Sequence, residues 1–245
     1  DYPIALVGMY ASLAAPLVWV LHATPFVVDF SGVTSGGKST TLRLAASVWG
    51  SPLEGDGVFH SWGDTAVHAE LYAGLIHSLP VILDDTKAFR SRPGGRVPGD
   101  FVYLFAQGRG RGRGLKSGGV SAGATWRTVL LSSGEAPLAG FGKDAGVYAR
   151  TVHVRGRPLG DNEVYGNQLS KWLCATAQQH HGHAGQRWVE WLVKHEAEWP
   201  ALVSRWHALD AELAALAPGR IAGRLSGYLA LLKLTEEMAS EILDI

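Results

Sequence analysis

Residues 31–40 read SGVTSGGKST. Five hydroxyl side chains, three glycines and one lysine lie between an apolar run, PFVVDF (25–30), and KSTTLRLAASVWG (38–50). In the latter, Leu42, Ala45, Ala46 and Trp49 recur at i, i+3, i+4 and i+7, one face of a helix, and Gly50 is a plausible stop. The order is therefore strand, nearly bare loop, helix. Glycines let consecutive N–H groups turn toward one point and form an anion-binding nest, and a helix starting at Lys38 adds the positive end of its dipole. Gly32-x-x-x-x-Gly37-Lys38-Ser39 fits the phosphate-binding pattern G-x-x-x-x-G-K-[ST] in its required context. Gly32, Val33, Thr34, Ser35, Gly36, Gly37, Lys38, Ser39 and Thr40 are expected to wrap the phosphates of ATP. Lys38 would reach the β- and γ-phosphates, and the Ser39 hydroxyl would hold Mg²⁺.

Such a site needs a second acid on a neighbouring strand. PVILDD (80–85) is a short apolar run ending in two acids, 46 residues after Lys38, and has the composition of a buried parallel strand. Asp84 falls at its C-terminal end, where open α/β sheets bind ligands, and is assigned to the Mg²⁺ shell. Asp85 falls where a base orienting the attacking water would stand, one methylene shorter than glutamate. TWRTVLLSSG (125–134) reads as a further strand with a polar end. Ser132 or Ser133 could meet the γ-phosphate or the water, and Ser133 is the chosen residue. Transition-state charge also calls for an arginine. Arg150, in the strand-like VYARTVHVRG (147–156), is the first candidate; Arg220 and Arg224 are others.

The formal net charge is zero, but it is unevenly placed. Residues 86–157 hold 13 of the 22 Lys/Arg and three of the 22 Asp/Glu, an asymmetry that suggests a polyanionic partner. Its densest part, GRGRGRGLKSGG, carries Arg109, Arg111, Arg113 and Lys116. Alternating glycines let each guanidinium approach a phosphate without steric conflict. The composition predicts an irregular loop that binds single-stranded DNA through its backbone, with strong salt dependence.

Three regions are expected: an N-terminal helix packing on the core (1–24), an ATPase core (25–157) and a C-terminal helical subdomain (158–245). Pro3–Leu21 carries no charge and is just long enough to span a bilayer. It lacks basic flanks and is diluted by Ala, Gly and Ser, so it is read as a buried helix, with no membrane and a cytoplasmic setting. The chain starts at Asp1 and stops in a helical pattern at EILDI, which reads as a piece of something longer. One cysteine, Cys174, excludes an internal disulfide. CATAQQHHGH lacks the paired spacing of a zinc site and is read as a polar inter-helix loop, and the tryptophans of the tail are read as core or interface.

The sequence resembles the bacterial and mobile-element family called domain of unknown function 927, a helicase-like ATPase family. The resemblance rests on FSGVTSGGKSTTLRLAASVWG, on Trp62, Thr65 and Glu70, and on LDD, LFAQGRGRGR, LLSSGE and GVYARTVHV. It covers most of residues 10–157 and, more loosely, the helical tail. It implies a P-loop ATPase with a parallel sheet, of the ring-helicase, AAA+ or RecA-like type, followed by a helical lid. It further implies a homo-oligomer, hexameric by expectation, with Arg150 as a sensor or trans arginine. Asp85 and Ser133 depart from the family's glutamate and threonine. The rival classes are a nucleotide-gated binding or signalling module without translocation and, more weakly, a P-loop kinase for a small molecule.

Overall fold

A computed structural model describes residues 2–64, 66–90, 98–114, 120–121, 123–141, 145–217 and 219–245. Helix α1 (Pro3–Val20) leads into β1 (Phe26–Ser31), and α2 (Lys38–Ser47) follows the glycine-rich loop. Then come β2 (Phe59–Ser61), α3 (Ala66–Ile76), β3 (Val81–Asp84), α4 (Thr86–Arg90) and α5 (Pro98–Ala106). The segments β4 (Arg113–Gly114) and β5 (Val120–Ser121) precede β6 (Val129–Gly134), α6 (Ala145–Tyr148) and β7 (Thr151–Arg155). Four helices close the chain: α7 (Glu163–Gln179), α8 (His183–Lys194), α9 (Trp199–Leu216) and α10 (Ala222–Leu243).

The main sheet is five-stranded and parallel, in the order β2-β3-β6-β1-β7. Asp84 is therefore not on a neighbour of β1, as the sequence suggested. β6 lies between, pairing Val28 with Leu131 on one side and Leu131 with Ile82 on the other. Side-chain alternation along a strand sorts the apolar residues into two cores. Phe26, Val28 and Phe30 of β1 join α1, α2 and α10 on one face, whereas Val27, Leu130, Val81 and Leu83 join residues of α3 and α5 on the other. With both faces covered, β1 and β6 are buried at every position, which is why they read as continuous apolar runs.

Among the described residues α1 is the one helix long and apolar enough to cross a membrane, and 61% of it is buried within the protein. Its Ser12 hydroxyl donates to the Ala45 carbonyl of α2 at 2.7 Å. The C-terminal helices are not set apart from the sheet. Leu231, Leu234 and Met238 of α10 share the α1 core, and Tyr228 stacks on Phe26 with ring centres 4.6 Å apart. Trp188 is fully buried, but Trp172 is exposed. Cys174 lies inside α7, and only His180–Gly182 form the connection to α8.

Two local expectations are corrected. The strand expected over 147–156 begins only at Thr151, because Ala145–Tyr148 close a helical turn first. The arginine–glycine run is not irregular throughout: Arg113 and Gly114 pair antiparallel with Ser121 and Val120, and Arg109 bridges to Thr125. Glycine permits this pairing. A Cβ on Gly123 would stand 2.4 Å from the Gly110 carbonyl oxygen, so the two segments approach this closely only because position 123 carries no side chain.

Candidate active site

β1 ends at Ser31, and the loop 32–37 turns through left-handed backbone at Ser35 (φ 60°) and Gly37 (φ 91°). Gly37 caps α2 without a side-chain acceptor. The first N–H groups of the helix are therefore left to face whatever enters the loop, in a positive local field. Lys38 Nζ donates to the carbonyls of Gly32 (3.0 Å) and Val33 (2.6 Å). Burial lowers the Lys38 pKa, partly opposed by the carboxylates of Glu135, Asp84 and Asp85. Ser35 to Thr40 line a cleft of about 180 Å³ whose far wall is Arg157, Leu159, Asn162, Glu163, Asn167 and Ser170. The Thr40 hydroxyl faces that wall and lies 2.6 Å from Ser170 Oγ.

Three of the residues picked from sequence meet beside the loop. Ser39 Oγ donates to Asp84 Oδ1 at 3.1 Å, and the Ser133 hydroxyl donates to the same oxygen. The strand order explains the meeting, since β6 carries Ser133 into the gap between β1 and β3. Ser132 is turned the other way, accepting a hydrogen bond from the buried indole Nε1 of Trp62 at 3.0 Å. This separates the serine pair: Ser133 faces the loop and Ser132 holds the core. One hydroxyl and one carboxylate oxygen 3.1 Å apart form a hard donor pair of the kind Mg²⁺ takes, so the residues present fit that ion.

Asp85 is held differently. It adopts left-handed backbone (φ 57°), and its Oδ1 accepts the Lys87 N–H at 3.1 Å, the geometry of an N-cap on α4. Glu135, the last residue of LLSSGE and not among the residues expected from sequence, is a second carboxylate facing the loop. Its Oε1 accepts from Thr34 Oγ1 at 2.5 Å and pairs with Lys87 Nζ at 2.6 Å. The hydrogen bond from Lys87, then that from Thr34, holds its carboxyl below the ordinary range. Buried Asp29 of β1 positions the following turn, its Oδ2 accepting the Leu138 N–H at 2.9 Å. Arg157, also missed, ion-pairs with Glu163 at 2.9 Å along the far wall of the cleft.

Arg150 is not brought to this cluster. Val27 N–H donates to the Arg150 carbonyl at 3.0 Å, so Arg150 stands at the N-terminal edge of the parallel sheet, opposite the loop. Its guanidinium donates to Gly146 O at 2.8 Å and covers the Tyr103 ring at 4.7 Å. A sensor role within the same chain is thereby corrected. Arg109 and Arg111 are at that same edge, lining a cavity of about 780 Å³ with Asp100, Tyr103 and Gln107. Arg109 also lines a second cavity of about 680 Å³ with Trp19, His22, Trp126 and Arg127. Lys116 lies outside the described residues.

The fold and site thus define an α/β protein with a five-stranded parallel sheet and a polar cluster at the strands' C-terminal edge. The chain belongs to the DUF927 family, a domain of unknown function, whose match spans residues 2–125. That span contains the glycine-rich loop, Asp84, Asp85 and the arginine run, and ends before Ser133 and Arg150. No curated protein sequence matches the chain. Among solved structures it is similar to one named "SCCmec type IV Cch - active helicase", with a TM-score of 0.73 over 98% of this chain and 18% sequence identity. At that identity the likeness is one of fold. The chain spans 43% of the length of that neighbour.

Proposed function

We propose that this chain is the ATP-binding and ATP-hydrolysing motor of a DNA helicase or translocase serving replication, mobile elements or defence against them. The observation that carries the reading is the convergence of Ser39, Asp84 and Ser133 beside a loop whose lysine and helix N-terminus both face inward. The fold is a P-loop NTPase of the ring-helicase type, with residues 25–157 as the core, 1–24 packed on it and 158–245 as a helical subdomain. ATP is the substrate, its phosphates held by Gly32–Thr40. Ser39 and Asp84 hold Mg²⁺, which neutralises charge building on the transferring phosphoryl group. Ser133 orients Asp84 by donating its one O–H to that carboxylate. Asp85 or Glu135 positions the attacking water.

Single-stranded DNA is the proposed partner, contacted by Arg109, Arg111, Arg113 and Lys116. Support comes from the two large cavities around Arg109 and the exposed Trp19 beside one of them, since arginine and aromatic faces together bind strands without reading sequence. A homo-oligomer, hexameric by preference, completes the site. The cleft of about 180 Å³ is smaller than the roughly 300–1,000 Å³ of enclosed small-molecule sites. On this reading one chain wraps only part of a nucleotide, and Arg150 would exchange its contacts with Gly146 O and the Tyr103 ring for those of a neighbouring copy. The neighbour named an active helicase supports the direction of this reading, and the cytoplasm is the matching compartment.

The test is ATP hydrolysis with and without single-stranded DNA at low and moderate salt, beside Lys38→Ala and an Arg109/Arg111/Arg113 triple alanine. The reading expects DNA-stimulated hydrolysis that Lys38→Ala abolishes. The triple variant should keep basal turnover and lose the stimulation. Hydrolysis indifferent to DNA at every salt would overturn the motor. A second reading, a nucleotide-gated binding module with slow turnover, draws on Asp85, whose carboxylate is occupied as a helix cap. Tight nucleotide binding without measurable turnover would favour it.

A further inference from the structure

His60, Asp64 and His68 belong to none of the chemistry above. His60 is on β2, Asp64 on the following turn and His68 on α3, so three separate elements bring the side chains together. Their donor atoms all lie within 4.8 Å of one another. Asp64 Oδ2 is central, 3.7 Å from His60 Nδ1 and 4.0 Å from His68 Nε2. A tetrahedral zinc ion with bonds of about 2.0–2.2 Å sets its donors roughly 3.4 Å apart, so the cluster is within a few tenths of an ångström of that spacing on two edges. The remaining closure falls on Asp64 and His68, whose side chains are 44% and 54% exposed, while that of His60 is 14% exposed. Tyr72 backs both imidazoles, its ring 4.2 Å from that of His60 and parallel to that of His68 at 6.3 Å.

We propose that His60 Nδ1, Asp64 Oδ2 and His68 Nε2 form a binding site for a divalent transition-metal ion of the zinc class. Two imidazoles and one carboxylate select such an ion over Mg²⁺ or Ca²⁺, which take all-oxygen shells. Three protein ligands leave a fourth position for water or an outside group. The ion would pin the edge strand to α3 across the turn that carries Trp62. That residue donates its backbone N–H to Asp84 O at 2.9 Å and its indole N–H to Ser132. The site therefore braces the wall of the Ser39/Asp84 cluster without entering it.

The test uses Co²⁺ as the probe on the purified, metal-stripped full chain, following visible ligand-field absorption and its displacement by Zn²⁺. One Co²⁺ per chain with tetrahedral bands is expected. Affinity should fall at least about tenfold in His68→Ala and in Asp64→Asn, whose exposed side chains can change without unfolding the protein, as circular dichroism would verify. Asp84→Asn should bind Co²⁺ as the wild type does. Unaltered Co²⁺ binding in His68→Ala overturns the proposal, as does no binding by the wild type, or loss of the signal in Asp84→Asn with retention in His68→Ala. Because the readout is spectroscopic, it is independent of whether the chain hydrolyses ATP.

Discussion

Ser132 and Ser133 are adjacent and chemically identical, yet the structure gives them opposite work, and replacing each by alanine separates the two roles. Ser132 is fully buried and Trp62 is 3% exposed. Ser132→Ala leaves the indole N–H buried without its acceptor, at a cost of about 2 kcal/mol within the usual 1–3 range for an unsatisfied donor. In a protein of this size that lowers Tm by roughly 4–8 °C. Turnover per folded molecule should be unchanged. Ser133→Ala removes a donor from Asp84, which keeps the Ser39 hydroxyl, so stability should fall by no more than about 1 kcal/mol. Hydrolysis should slow by roughly ten- to hundredfold through the lost hydrogen bond to a charged group. The assays are thermal unfolding and single-turnover hydrolysis on the same preparations. A double-mutant cycle with Trp62→Phe isolates the buried bond, because once the indole N–H is gone Ser132→Ala should cost little more. If Ser132→Ala melts with the wild type while Ser133→Ala melts well below it, the assignment of the two faces of β6 is wrong.

Gly37→Ala should be as damaging as any change in the phosphate loop. Its Cβ would stand 2.6 Å from Leu159 Cγ, and the backbone at φ 91° is one an alanine resists. Together these cost about 2–4 kcal/mol, and adding Leu159→Ala should restore only the steric part in a denaturant titration. Full rescue by that second change would show that the backbone conformation is not strained. Glu135→Gln probes the link from β6 to the loop. The Glu135 carboxyl is held below its ordinary value of 4.5, so the folded state binds this proton less readily than the unfolded one. Its contribution is complete above that value and disappears as pH falls through the lower, folded pKa. The urea midpoint of Glu135→Gln should therefore trail the wild type most at pH 6–8 and converge with it in acid, and a gap that widens in acid contradicts the pairing with Lys87 and Thr34.

Local periodicity carried far in this sequence, and the places where it stopped share a cause. β1, α2 and β3 were legible because each has a clean apolar pattern bounded by glycine or a charged pair. The meeting of Ser39 with Asp84 followed from strand-end logic. What could not be read was everything fixed by strand order. Nothing in VILDD or LLSSGE says that β6 inserts between β1 and β3, and only that insertion separates Ser132 from Ser133. Arg150 was misplaced for the same reason: a residue before a strand and a residue after it sit on opposite edges, and β7 starts at Thr151, four residues after the start of the strand-like run. Asp85 was read for its charge, although its place ahead of Thr86 makes it a cap. His60, Asp64 and His68 are spaced four and four in the sequence, but the spacing crosses a strand, a turn and a helix, so no single periodicity marks it.

The placement of β6 also limits how the two ends of this molecule can communicate. Its six residues, Val129–Gly134, follow the Trp126–Thr128 connection from the Thr125 bridge with Arg109 and carry the hydroxyl that shares an oxygen with Ser39, roughly 20 Å of strand at about 3.3 Å per residue. A strand clamped by parallel neighbours on both sides does not stretch. On the function proposed above, a shift of a fraction of an ångström at the serine end would pass along the paired residues to Val129, like a piston rod in its cylinder, and reach the arginine end through Trp126–Thr128. On that proposed function, hydrolysis and strand binding would be joined through β6, and slack introduced at the bridge, for instance by proline at Thr125, would uncouple them while leaving each intact.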